Sequence, residues 1–328
     1  MDRVLAGIAK NRFVVVGRAG MDFFPHPPGT RTEEATEFRS SLGGSSANIA
    51  AGICKFGGAA ALVTRVSDDS VGRYCVNQLE HYGVETRYVT PVGGEYRNSL
   101  AVYESRVEDH QTVIYRNGAA DFQMSEQDVD VVDYAAFGAL ITAGTVFAAE
   151  PSRSAAFRAF ALAREAGLPI IFDIDYRPYS WPSADVAAEV LSRAGAVSDV
   201  IVGNDEECGF MAGGLDRGLA KARELAEQSA AIVIYKMGEH GAITFAGGEE
   251  TRTGIYPVTA LKPTGAGDSF MAGLMASLAS GRPLKEAVLR GSACAAIVGA
   301  RPGCAPAMPD AEGLDRFLAE HPGPTEPH

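Results

Sequence analysis

Lys262-Pro263-Thr264-Gly265-Ala266-Gly267-Asp268-Ser269-Phe270 sets two glycines around an alanine, follows them with an acid, and runs straight into an apolar stretch. Phe270, Leu274 and Leu278 recur every four residues, the spacing of one helical face. Gly265 to Asp268 therefore falls at a helix N-terminus, where backbone N–H groups lack partners and the macrodipole is positive. Glycines let such a backbone close on an anion. An acid beside an anion cradle is electrostatically unfavourable unless it has a task. Accepting a proton from a nucleophile that attacks a bound phosphate is such a task. The stretch fits phosphoryl transfer to a hydroxyl.

Working outward, the 328 residues suffice for one large α/β domain with a small appendage. Hydrophobic residues make up 46% and charged residues 21%, the balance of a soluble globular chain. A net charge of −12 argues against nucleic acid or an anionic membrane as a partner, yet leaves room for a local phosphate cradle. The start, Met1-Asp2-Arg3-Val4-Leu5, carries no signal-peptide pattern, and no window has the apolar length of a membrane span. Cys54, Cys75, Cys208, Cys294 and Cys304 are scattered, as expected of reduced thiols in a cytoplasmic protein.

Short apolar runs alternate with helical patterns along most of the chain. Strands are expected at 13–17, 60–66, 140–142, 169–173, 199–203 and 231–236, with helices at 46–56, 71–82, 152–166, 184–194 and 215–228. Continuous apolar strands between amphipathic helices predict a doubly wound, mostly parallel sheet covered on both faces. Two segments break the pattern. Residues 18–42 are mixed, and 95–116 read as a hairpin; both are expected to build a small β lid. The kinase-type domain would then span 1–318, with 319–328 a disordered tail.

In such a sheet, ligands bind beyond the carboxyl ends of the strands. Asp22 lies past the first strand, and Gly43-Gly44-Ser45-Ser46-Ala47-Asn48 opens a helix. That run is either an ordinary turn with a capping serine or a close approach to a polar ligand, with Asn48 offering an amide to a sugar hydroxyl. Arg116 and Arg177 are either surface charges or a clamp on a carboxylate. Asn204-Asp205-Glu206-Glu207 is a helix start whose acids complement the dipole, or the neighbourhood of a Mg²⁺–phosphate assembly. Lys236-Met237-Gly238-Glu239-His240-Gly241 is a glycine turn, or a place where Lys236 steadies nucleotide phosphates. The first strand lacks a Gly-x-Gly-x-x-Gly turn, which disfavours a dinucleotide-dependent oxidoreductase.

Together these residues resemble the PfkB, or ribokinase-like, carbohydrate kinases over nearly the whole chain. The N-terminal signature is Gly43-Gly44-Ser45-Ser46-Ala47-Asn48 running on to Ser67-Asp68-Asp69, and the C-terminal one is Pro263 to Phe270. The resemblance implies an ATP-dependent phosphotransferase with a β lid, often dimeric through that lid. It implies Asp268 as catalytic base, with Gly265, Ala266 and Gly267 as anion hole. It implies Asp22, Gly43, Gly44, Asn48, Arg116 and Arg177 as sugar contacts. Asn204, Lys236, Gly238, Gly241 and Thr264 would face the nucleotide, with Glu207 near Mg²⁺. Asp173-Ile174-Asp175-Tyr176-Arg177-Pro178 and Tyr115-Arg116 look like those of members acting on keto-deoxy sugar acids. The opening Gly17 to Pro25 and the run Leu261-Lys262-Pro263 resemble the branch acting on 5-dehydro-2-deoxy-D-gluconate. A 2-keto-3-deoxygluconate kinase, a neutral-sugar kinase or an idle sugar-binding regulator are the alternatives. Most members carry an acid where this chain has Lys262; in potassium-dependent ones it helps hold the ion. The Lys262 ammonium is expected to replace that ion, removing a need for K⁺. Asp268 itself is expected to titrate near an ordinary aspartate, about 4.

Overall fold

The structure is a computed structural model and describes residues 1–106 and 108–326. Its nine-stranded main sheet contains β1 (Arg12–Val16), β4 (Ala59–Ser67), β5 (Val89–Val92), β8 (Ala139–Ala143), β9 (Ile170–Asp173), β10 (Val200–Asn204), β11 (Ile232–Lys236), β12 (Ala242–Ala246) and β13 (Glu249–Thr253). The order is β13-β12-β11-β10-β9-β8-β1-β4-β5, with every strand parallel except β12, which is antiparallel to both its neighbours. The chain winds outward from β1 in one direction, returns, and winds outward in the other. The reversal leaves a crevice at the carboxyl end of β1.

Alternating residues explain why both faces are covered. Val14 and Val16 enter one core with helices Ser152–Glu165, Ala184–Gly195 and Gly218–Gln228. Phe13 and Val15 enter a second core with helices Ser45–Lys55, Ser70–His81 and Ala266–Ala279. Helix Ala266–Ala279 is apolar on nearly every side. Phe270, Leu274 and Leu278 are buried against the sheet, and Leu284–Gly299 lies along it.

The mixed segment 18–42 contains two strands that its composition concealed, β2 (Gly20–His26) and β3 (Glu37–Gly43). With β6 (Ser99–Tyr103) and β7 (Thr112–Tyr115) they form a separate four-stranded sheet, ordered β3-β2-β6-β7. Phe24, Ala101 and Tyr103 of this sheet pack on Cys304, so the small sheet rests on the loop that backs the glycine turn.

The chain end also differs from expectation. Helix Ala311–Glu320 buries Leu314 against Tyr256, and Thr325 exchanges two hydrogen bonds with Ile255, of 2.8 and 3.0 Å. That part of the supposed disordered tail is anchored; residues 327–328 lie outside the described ones. Among the described residues, no helix is long and apolar enough to cross a membrane.

Candidate active site

Asp268 sits in the first turn of helix Ala266–Ala279, and its Oδ2 accepts a hydrogen bond of 2.9 Å from Asn48 Nδ2. Residues from opposite ends of the chain meet here because their helices nearly touch. A Cβ added to Gly52 would lie 2.6 Å from the Cβ of Ala272. Gly52 is four residues after Asn48, and Ala272 four after Asp268, so the close approach lies one turn below the bond. Burial pushes the Asp268 carboxyl up to about 6, Asp175 adds to the effect, and Asn48, Arg177 and Arg18 oppose it. The expectation of an ordinary aspartate is therefore corrected: the helix terminus does not outweigh desolvation and a like-charged neighbour.

The turn before Asp268 stands at the helix N-terminus, and its Ala266 N–H donates to the Pro263 carbonyl at 3.3 Å. Gly265 caps the helix in the left-handed region, φ 80°, with the Cys304 side chain directly behind it. Lys236 Nζ is 3.7 Å from where a Gly267 Cβ would stand and 5.3 Å from the Phe270 ring centre. A cation and a positive helix end thus face the same space. On the far side, the Lys262 ammonium is buried and donates to the carbonyls of Thr264 (2.5 Å) and Val298 (3.4 Å). Burial holds its pKa below the usual lysine range, although Cys304, Asp268 and Asp22 pull it back up.

The crevice wall opposite comes from the small sheet. Asp22 of β2 is buried, its Oδ1 lacks a partner, and a Cβ on Gly43 of β3 would collide with it. Burial drives Asp22 up to about 7; Arg18 and Lys262 counter this, and Asp268 reinforces it. Gly44, φ 95°, begins helix Ser45–Lys55 against the Arg18 carbonyl. Asn48 Oδ1 is also buried and unpartnered. Two orphaned acceptors on one wall suit a ligand that brings hydroxyl donors.

Arg116 and Arg177 both lie near Asp175, and each already holds an acid. Arg116 is buried, bonded through Nη2 to Asp121 (2.5 Å) and the Thr145 carbonyl (3.1 Å), and stacked 4.0 Å from the Phe122 ring centre. Arg177 Nη2 lies 2.7 Å from Asp175. Burial acts to raise Asp175, yet Arg177, with Arg18 and Arg116, holds it below the usual carboxylate range. A cleft of about 400 Å³ is lined by Arg116, Phe122, Glu150 and Tyr179.

Asn204 and Glu207 form a reciprocal capping box: Glu207 N–H donates to Asn204 Oδ1 and Asn204 N–H to Glu207 Oε2, both at 2.8 Å. Asn204 pairs with Lys236 across β10 and β11, so both stand on the carboxyl edge of the sheet. Asp173 ends the neighbouring strand β9, and burial raises both its carboxyl and that of Glu207, with Lys236 opposing in each case. Gly238 opens the one-turn helix after β11 and Gly241 follows it; Gly241, φ 85°, lies so close to the Thr253 carbonyl that no side chain fits.

The sequence reading assigned no site role to Arg18, Asp121 or Cys304. Arg18 carried one legible sign, a charge between Gly17 and Gly20 at the end of a buried strand. Cys304 carried none, because its placement depends on a loop that folds back from the chain end.

Solved structures with this architecture include sugar kinases. The fructokinase of Xylella fastidiosa with bound ATP matches with a TM-score of 0.83 at 19% identity, over 95% of this chain and 99% of that one. The fold is the ribokinase-like α/β fold. Residues 10–311 match the pfkB family of carbohydrate kinases, and the chain belongs to that family as an ATP-dependent sugar kinase. It is 34% identical over 314 residues to the 5-dehydro-2-deoxygluconokinase of Geobacillus kaustophilus, covering 94% of each chain. It is also 34% identical over 310 residues to the 5-dehydro-2-deoxygluconokinase of Photobacterium profundum, covering 93% of this chain and 94% of that one.

Proposed function

We propose that this kinase phosphorylates a hydroxyl of a keto-deoxy sugar acid, with 5-dehydro-2-deoxy-D-gluconate as its acceptor. The observation that carries the mechanism is the Asp268 carboxylate held by Asn48 at the mouth of the Gly265–Gly267 turn. Asp268 accepts the proton of the attacking hydroxyl. With a pKa of about 6 it is mostly ionised at neutral pH and is a stronger base than a solvated aspartate. Asn48 aims that carboxylate, and Asp22 and Asn48 offer acceptors to the sugar's other hydroxyls. Gly43 and Gly44 let the sugar approach the backbone.

The N–H groups of Gly265, Ala266 and Gly267 meet charge that develops on the transferred group, and Lys236 neutralises phosphate oxygens beside them. Asn204, Gly238, Gly241 and Thr264 border the nucleotide space. The donor set fits a hard divalent cation, because Asp173 and Glu207 are buried acids with raised pKa values that a nearby positive charge would relieve. Asp173 and Glu207 would hold Mg²⁺, which would supply further charge neutralisation on the phosphates. Lys262 stands in for a monovalent cation at the carbonyls of Thr264 and Val298, so K⁺ is not required.

The small sheet, built from the 18–42 and 95–116 segments, closes over the acceptor and excludes water. Exposed Phe38, Val113 and Tyr115 on it support self-association through that sheet. The sugar-acid reading draws on the arginines around Asp175 and on the curated relatives. An ADP-release assay across 5-dehydro-2-deoxy-D-gluconate, 2-keto-3-deoxy-D-gluconate, fructose and ribose tests it. The highest kcat/KM belongs to the first; a neutral sugar in first place would refute the reading.

A further inference from the structure

Three guanidiniums surround Asp175, and they differ in what they already hold. Arg116 is bonded to Asp121, and Arg177 to Asp175. Arg18 is 7% exposed, yet its side chain makes one hydrogen bond, from Nη1 to Ser99 Oγ at 2.9 Å. Among the described residues it forms no salt bridge, and its buried Nε has no partner. A buried guanidinium that leaves N–H donors unpaired is unfavourable unless something brings an acceptor to them.

The surroundings say where that acceptor sits. Arg18 leaves the carboxyl end of β1, and its carbonyl accepts from Ala47 N–H, one residue before Asn48. Ser99 fixes the guanidinium from β6, and a Cβ on Gly20 would stand 3.4 Å from Nη1. The charged and titratable groups facing it are Tyr103 from β6, Asp22 from β2, Asp121 and Tyr179, with Asp175, Asp268 and Arg116 also near. Of the acids, Asp121 is paired with Arg116, Asp175 with Arg177, Asp268 accepts from Asn48, and burial raises the carboxyl of Asp22. None of them forms an ion pair with Arg18 among the described residues.

We infer that Arg18, rather than Arg116 or Arg177, is the principal receptor for the acceptor's carboxylate and sets the preference for a sugar acid over a neutral sugar. The inference rests on the sugar-acid reading above. Its physical content is a planar fork with unused donors, pre-positioned by Ser99, that meets a carboxylate through paired N–H···O bonds. Arg116 and Arg177 act on the acceptor indirectly, by occupying Asp121 and Asp175 so that these acids do not repel or capture it.

Binding of D-gluconate and of D-glucitol, which differ by the carboxylate, is measured by calorimetry for the wild type and for Arg18→Gln, Arg18→Lys and Arg177→Gln. The wild type should favour gluconate by about tenfold or more, the size of one charge-assisted contact. Arg18→Gln abolishes that preference, Arg18→Lys keeps part of it, and Arg177→Gln keeps most. Should Arg18→Gln not fold, as judged by melting, a reduced preference in Arg18→Lys supports the inference and an unchanged one overturns it. It is also overturned if Arg18→Gln retains the wild-type preference, or if the wild type has none. Because the readout is binding, it separates from the acceptor assay. A wild type that phosphorylates only neutral sugars but loses its gluconate preference in Arg18→Gln sinks the substrate reading alone. A sugar-acid kinase whose preference survives Arg18→Gln sinks the role of Arg18 alone.

Discussion

Asn48 Nδ2 and Asp268 Oδ2 lie 2.9 Å apart, joining helices whose starts are more than two hundred residues apart in the chain. The bond lowers a carboxyl that burial raises. Removing it in Asn48→Ala leaves only Arg177 and Arg18 to oppose burial and Asp175. The acidic limb of kcat/KM, near pH 6 in the wild type, then moves to higher pH. A pH–rate profile for the two proteins checks this; superimposable profiles would show that Asn48 does not tune Asp268.

The same bond depends on how closely the two helices approach. Gly52→Ala adds a methyl 2.6 Å from the Ala272 Cβ and 2.9 Å from Met308 Sδ. Overpacking of this kind costs about 1–3 kcal/mol and forces the helices apart. Stability and turnover should both fall, and Gly52→Ala combined with Ala272→Gly should recover much of each. Chemical denaturation and steady-state rates of the single and double variants decide it; a double variant no better than Gly52→Ala would mean that the contact is not what sets the spacing.

Asp268 and Asp22 have folded pKa values of about 6 and about 7, above the unfolded value of about 4. The folded state therefore retains protons that the unfolded state has released. This stabilisation is complete below about pH 4 and is lost as pH rises through the folded values. Acids held below their ordinary range, such as Asp175 and Asp69, act at lower pH and leave this window untouched. The ligand-free protein should lose Tm between mildly acidic and mildly alkaline pH, and Asp22→Asn should flatten part of the slope. A Tm that climbs across that range would contradict the assignment.

Lys262 already donates to the carbonyls of Thr264 and Val298. Replacing Na⁺ by K⁺ in the assay should leave the wild-type rate unchanged. Lys262→Ala removes the ammonium and leaves those carbonyls facing an apolar side chain, so the variant should lose activity and regain some of it in K⁺. Strong activation of the wild type by K⁺ would show that Lys262 does not replace the ion.

Much of the fold was legible because the main strands are buried on both faces. Val14, Val15 and Val16 read as a core strand from hydrophobicity alone, and Phe270, Leu274 and Leu278 give the helix after the glycine turn directly. Strands β2 and β3 were not legible. β3 is open on both faces from Glu37 to Ser40, and β2 carries Pro25 and His26, so neither shows an apolar run. At the site, Asp268 and Asn48 announced themselves through the glycines beside them. The pairing of Arg116 with Asp121 and of Arg177 with Asp175 did not, since it depends on which acid the fold brings near. The isolation of Arg18 is likewise a property of three dimensions.

The central claim is that Asp268 takes the proton from the acceptor while the turn before it holds charge on the transferred group. Turnover of Asp268→Asn, measured beside its ATP affinity, tests this most directly. Asparagine keeps the shape and the contact with Asn48 but cannot accept the proton, so kcat should fall by about 10²–10⁴-fold with ATP affinity nearly unchanged. A variant that turns over near the wild-type rate would contradict the account.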